Sequence, residues 1–171
     1  MKFDTTQVII TGGTIDSYYE ASKDTVVPNK TSVIPAILNA FKIDKKFLFS
    51  KICMKDSRAL NALDRKKILA TIQKSSCNKI IITHGTYTMP DTARYLKANL
   101  KKANKVIILT GSMIPISGFS PSDGTFNLGY SIAVADYLKP GIYVVMNGRV
   151  FDPAEVVKDM SGGKFGSIFS K

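Results

Sequence analysis

The chain has 171 residues, with 24 lysines and arginines against 13 acids, two cysteines, one histidine and a net charge of +11. That length suits one domain whose core needs neither disulfide nor metal, and Cys53 and Cys77, lacking a CxxC spacing, read as buried or half-buried thiols. A single histidine argues against zinc clusters and against Ser-His or Cys-His catalysis, and no metal site is expected. The basic residues are scattered (Lys42, Lys45 and Lys46; Lys66 and Lys67; Lys97, Lys101 and Lys102) with no aromatic-interleaved stripe, so the charge reads as a solvated surface and no nucleic-acid partner is expected.

Residues 1–4 lead straight into a strand with neither a long apolar segment nor a small-residue cleavage site, so no secretory signal, no membrane contact and a cytoplasmic location are expected. The first apolar run, 7–11, ends in Thr11-Gly12-Gly13-Thr14-Ile15, where glycines let backbone approach a ligand closely. The connection 16–30, with Tyr18 and Tyr19, is too polar and irregular for an element and reads as a long loop of the kind used as a lid. Helical spacing covers 32–41, a strand covers 47–54, and a second helix covers 64–74. The strand 79–83 opens into Thr83-His84-Gly85-Thr86-Tyr87-Thr88-Met89-Pro90. There Pro90 suits the first turn of a helix over 90–100, Thr88 can cap it and Asp91 complements its dipole. A strand at 106–110 precedes a helix at 125–138; Asp123 either orients a loop there or caps the helix, the cap being the simpler account. The strand 142–146 is followed by Asn147-Gly148, a hairpin signal, and 161–169 reads as a glycine-rich tail.

Strand and helix alternate throughout, and several strands are apolar on successive residues, as burial on both sheet faces requires. An α/β three-layer sandwich with a mainly parallel sheet and an antiparallel hairpin at one edge follows. Ligands in such sheets bind beyond the carboxyl ends of the strands, where Thr14, Ser57, Thr86 and the Gly111-Ser112 turn all fall. The pattern G-x-G-x-x-G is absent, so no nicotinamide and no other cofactor is expected. His84 reads as structural, its ring bonded to backbone near the turn, with a general-base role as the other reading.

Taken together in order, Thr11 to Ile15, Asp56-Ser57, His84 to Met89, Leu109 to Met113, Ser122 to Leu128, Val144 to Asn147 and then Val157-Lys158 resemble the N-terminal domain of the L-asparaginase/glutaminase-like amidohydrolases. The resemblance covers nearly the whole chain. It implies a Rossmann-like or flavodoxin-like sheet, a single domain over residues 1–171 with the family's C-terminal domain absent, and a homodimer or homotetramer. It also implies hydrolysis of the side-chain amide of asparagine or a related small amide. Thr14 would be the attacking hydroxyl, with Thr86 served by Lys158 in moving protons, and a loop tyrosine, Tyr18 or Tyr19, activating the nucleophile. Ser57 and Gly85 would hold the substrate carboxylate. Arg58 reads either as a charge-assisted grip on that carboxylate or as a solvated loop arginine.

Tyr87 stands where the family has an aspartate that holds the substrate ammonium. A neutral phenol cannot supply that ionic partner. Three readings stay open: a substrate without the ammonium, another acid such as Asp123 in its place, or a domain that has lost hydrolysis and binds a small amino acid or a protein partner.

Overall fold

Side chains of a strand point alternately to its two faces, so an unbroken apolar run must supply two cores at once. In the computed structural model, which describes residues 5–100 and 104–169, that is how the sheet is built. Its strands are β1 (Thr5–Gly12), β4 (Lys46–Lys55), β5 (Lys79–Thr83), β6 (Val106–Thr110), β7 (Gly141–Met146) and β8 (Arg149–Phe151), in the order β4-β1-β5-β6-β7-β8. All neighbours are parallel except β7 and β8. Counting the parallel strands alone in chain order gives 2-1-3-4-5, the flavodoxin-like winding, whose switch point lies between β1 and β5.

On one face Ile9, Ile80, Ile82, Ile107 and Leu109 pack with Ile68 and Ile72 of helix α2 (Ala62–Lys74) and with Met89, Ala93 and Leu96 of α3 (Met89–Asn99). On the other, Val8, Ile10 and Ile81 meet Ile34 and Leu38 of α1 (Ile34–Ala40) and Leu128 and Ile132 of α4 (Asp123–Val134). Each fully buried side chain of this size contributes about 1.5–3 kcal/mol, so the three layers need no cross-link. The strand β4 forms one edge, with Leu48 and Phe49 exposed. At the other edge Asn147 and Gly148 take φ of 54° and 70°, the two positive values a tight hairpin demands, and turn the chain into β8.

Two expectations need correction. The stretch 16–30 is an ordered antiparallel hairpin of β2 (Ser17–Glu20) and β3 (Thr25–Pro28), because Tyr18, Tyr19, Val26 and Val27 favour extended backbone and Asp24 accepts the left-handed position at the turn. The segment read as a glycine-rich tail likewise pairs: β9 (Val156–Asp159) and β10 (Lys164–Ser167) form a second hairpin that buries Val156 and Phe165 in the α2/α3 core. Lys101, Lys102 and residues 1–4, named in the sequence reading, lie outside the described residues.

Candidate functional site

Three strand ends meet at the switch point with almost no space between them. Gly13 has φ of 81°, and a Cβ there would come within 2.3 Å of the Gly85 backbone nitrogen; one on Gly85 would lie 2.7 Å from the Ser57 Cβ. Only glycine satisfies both the left-handed backbone and the contact at residue 13. The Gly13 amide donates to the Lys55 carbonyl at 2.8 Å, fastening the end of β1 to that of β4. The next residue after each junction is set accordingly: Thr14 opens a 3-10 turn, Ser57 opens another, and Thr86 follows β5 with only 5% of its surface exposed.

Ser57 is fixed from two sides. Asp56 caps its turn, accepting from the Arg58 amide at 2.8 Å, and the Thr88 hydroxyl donates to the Ser57 carbonyl at 2.9 Å. Thr88 does occupy the N-cap position of α3, but its hydroxyl makes no cap bond, being spent on that neighbouring turn. Asp123 does not cap α4 either. Ser122 does so, accepting from the Gly124 amide, while the Asp123 carboxylate accepts from the Met113 and Ile114 amides and from Asn127.

The β9–β10 hairpin brings the amine to this floor. Lys158 Nζ lies 2.8 Å from Thr86 Oγ1. Burial and then the positive charge of Arg58 push the Lys158 ammonium below its ordinary range, with Asp56 opposing them, so the neutral amine is more accessible than on a free lysine. The hairpin is held by the Arg94 guanidinium on the Val156 carbonyl at 2.7 Å and by the Phe165 amide on Asn147 Oδ1 at 2.9 Å. Asn147 in turn donates its amide to Asn127, whose side chain donates to the Gly111 carbonyl at the end of β6.

Thr14, Ser57, Arg58, Gly85, Thr86, Tyr87 and Lys158 all line one cavity of about 140 Å³, together with Asp56 and Met160. Tyr87 is half exposed at its mouth, with the Arg58 guanidinium 5.3 Å from its ring centre. An adjoining cleft of about 360 Å³ shares Tyr87, Lys158 and Met160 and continues along Asp91, Arg94 and β9. Met160 went unnoticed in the sequence; the alternation of Val156 and Lys158 before a glycine turn was the available signal.

Not every candidate converges. The Tyr18 hydroxyl donates to Glu20 at 2.9 Å and that of Tyr19 to Asp24, so both are engaged within the β2–β3 hairpin. Asp123 is absent from the cavity lining. His84 is fully buried with Nδ1 2.8 Å from the Gly85 carbonyl oxygen, and burial pushes its pKa down to about 4, which keeps the ring neutral and structural. Cys53 and Cys77 are free thiols, half-buried and buried. Among the described residues no group of three or more His, Cys, Asp or Glu side chains could hold a metal, and no helix is long and apolar enough to cross a membrane.

The comparisons with known proteins converge on the same fold. The chain is 27% identical to a glutaminase-asparaginase of Acinetobacter glutaminasificans, over 90% of this chain and 49% of that protein. It is 30% identical to a Haemophilus influenzae protein named "Probable L-asparaginase periplasmic", over 88% and 45%. Among solved structures, the thermostable L-asparaginase from Thermococcus kodakarensis superposes with a TM-score of 0.82 at 27% identity, covering 98% of this chain and 52% of that one. The chain thus spans about half the length of the curated relatives it matches. The model of the family described as "Asparaginase, N-terminal" matches residues 6–165, which takes in every strand end just described, and the chain belongs to that family.

Proposed function

We propose that this chain is an amidohydrolase that cleaves the side-chain amide of asparagine or a related small amide. The observation that carries the reading is the 2.8 Å contact between Lys158 Nζ and the buried Thr86 hydroxyl, in a cavity that Thr14 also lines. A hydroxyl is a weak nucleophile until a base takes its proton, and an amine lowered from its ordinary pKa is such a base. Thr14 Oγ1 attacks the amide carbon and its proton passes by way of Thr86 to Lys158. The C–N bond then breaks, the nitrogen leaves as ammonia with a proton returned from Lys158, and Thr14 holds the acyl group as an ester. Water adds to that ester, the acid departs and the Thr14 hydroxyl is restored. Ser57, Gly85 and the positive end of α3 hold the carboxylate, and Arg58 extends that grip.

A second reading exchanges the two hydroxyls: Thr86 attacks, with Lys158 as its direct base, and Thr14 assists. The engagement of Tyr18 and Tyr19 with their own hairpin's acids favours it. Ammonia release from asparagine, glutamine and blocked analogues tests the reaction, and mapping the acylated threonine separates the two readings. A folded protein that turns over none of these amides would overturn the hydrolytic assignment.

In this reading residues 1–171 act as one domain without a cofactor, in the cytoplasm, where two free thiols persist. Tyr87 and Met160, both exposed at the cavity mouth, offer a second copy a surface to cover, and a homodimer or homotetramer is expected. Light scattering that gives a monomer at working concentration would contradict this.

A further inference from the structure

The charges around the cavity say more about the substrate than the threonines do. Arg58 is the fixed cation of its lining, Lys158 is an amine held below its ordinary range, and Asp56 is its one carboxylate. Asp56 Oδ1 accepts from the Arg58 amide at 2.8 Å and faces the Arg58 Nε at 3.3 Å, so that acid is paired with the arginine through one of its two oxygens. The arginine keeps its two terminal nitrogens. Among the described residues its ion pair runs through Nε alone, and its guanidinium lies over the Tyr87 ring.

Two other acids could have compensated a bound ammonium, and neither does. Asp123 is engaged by the Met113 and Ile114 amides and by Asn127, and it does not line the cavity. Asp91 lines only the adjoining cleft, where Arg94 lies 3.3 Å from its carboxylate. An ammonium brought into the cavity would therefore meet the Arg58 cation and a phenol, and the one carboxylate of the lining, Asp56, is already paired with that cation. A carboxylate there meets the unspent nitrogens of Arg58.

We propose, resting on the amidohydrolase reading above, that the site selects small amides that carry a carboxylate but no ammonium, such as the monoamide of a four-carbon dicarboxylic acid, over the corresponding amino acid. Arg58 takes the carboxylate, and Tyr87, under the guanidinium at the cavity mouth, offers an amine no counter-charge. Specificity of this kind is a difference of affinities, created as much by the repulsion of the amine as by attraction of the acid.

The test measures ammonia release from succinamate, N-acetylasparagine and asparagine by the full chain, with calorimetric titration of succinate and aspartate beside it. Succinamate should exceed asparagine in kcat/KM by about tenfold to a hundredfold, and Tyr87→Asp should reverse that order. N-acetylasparagine distinguishes an amine refused for its charge from one refused for its bulk: turnover above asparagine points to charge, and both results support the selection. Asparagine turned over as well as succinamate or better overturns the selectivity while leaving the hydrolytic reading intact. If no amide is hydrolysed, the hydrolytic reading falls, and titration decides the selectivity by itself. Succinate bound about tenfold tighter than aspartate upholds it, and equal or reversed affinities overturn it.

Discussion

Two antiparallel hairpins with four-residue strands are attached in opposite ways, one carrying a residue of the cavity lining and the other only following one. The β9–β10 hairpin, which carries Lys158, sinks Val156 and Phe165 into the core and is bonded to α3 through Arg94 and to the β7–β8 turn through Asn147. The β2–β3 hairpin, which follows Thr14, is fastened at its base. There Ser17 bonds the Gly13 carbonyl and Asp16 receives the Val33 amide, while Tyr19, Thr25 and Val26 face solvent. The difference teaches where precision is required. In the proposed mechanism the accepting amine must stand within hydrogen-bond reach of its hydroxyl, and buried side chains hold it there; a segment anchored at one end is free to move at its tip.

The largest effect that would sharpen this comparison is at the amine. Lys158→Met should lower amide hydrolysis by about 10²- to 10⁴-fold with the melting transition little changed, because it removes the base and keeps the stem. The rate of the intact protein should rise with pH as Lys158 loses its proton. Arg58→Gln should move that rise to higher pH, since the positive neighbour that helps depress the lysine is gone.

Next comes the anchor. Phe165→Ala should cost about 3–5 kcal/mol in urea melts and should also weaken hydrolysis, as the strand facing Lys158 loses its buried hold. The end of β5 gives a pH signature of its own. His84 has a folded pKa of about 4 against an ordinary 6.5, so the unfolded chain binds the proton first as pH falls. Its contribution is thus intact above about pH 6.5 and lost progressively down to about pH 4, amounting to about 3 kcal/mol, which the pH dependence of His84→Asn should lack.

Asn147→Ala should cost about 1–3 kcal/mol, because the Phe165 amide loses its acceptor and alanine tolerates the positive φ poorly. The smallest effect belongs to the other hairpin: Val26→Ala should change stability by less than about 0.5 kcal/mol. A cost at Val26 comparable with that at Phe165 would break the contrast between the two attachments.

The sheet was legible because its strands are local: Ile80-Ile81-Ile82 and Val106 to Leu109 announce burial on both faces, and Asn147-Gly148 announces its turn. The floor of the site was legible for the same reason, since Thr14, Ser57, Gly85 and Thr86 each follow a strand end. The two short hairpins were not. The β9–β10 hairpin depends on partners far along the chain, such as Asn147 for Phe165 and Asn127 for Asn147, and a glycine-rich stretch looks alike whether or not such partners await it; the β2–β3 hairpin hides its extended Tyr and Val pairs among polar residues. Thr88 and Asp123 misled in the same way. Both residues have the chemistry of a cap, and which backbone groups they serve is decided by the turn packed beside them.

The edge strand β4 bears on how the chain behaves in a crowded solution. An open edge bearing Leu48 and Phe49 is a template on which a second chain could add a strand. The same strand carries the exposed Lys51, so two copies aligned edge to edge would bring cations towards one another, on a molecule whose net charge of +11 already repels its own kind. That protection is electrostatic, and salt erodes it over a Debye length of about 8 Å at physiological ionic strength. Storage in low salt therefore favours dispersed protein, and high salt brings the apolar edges within reach of each other.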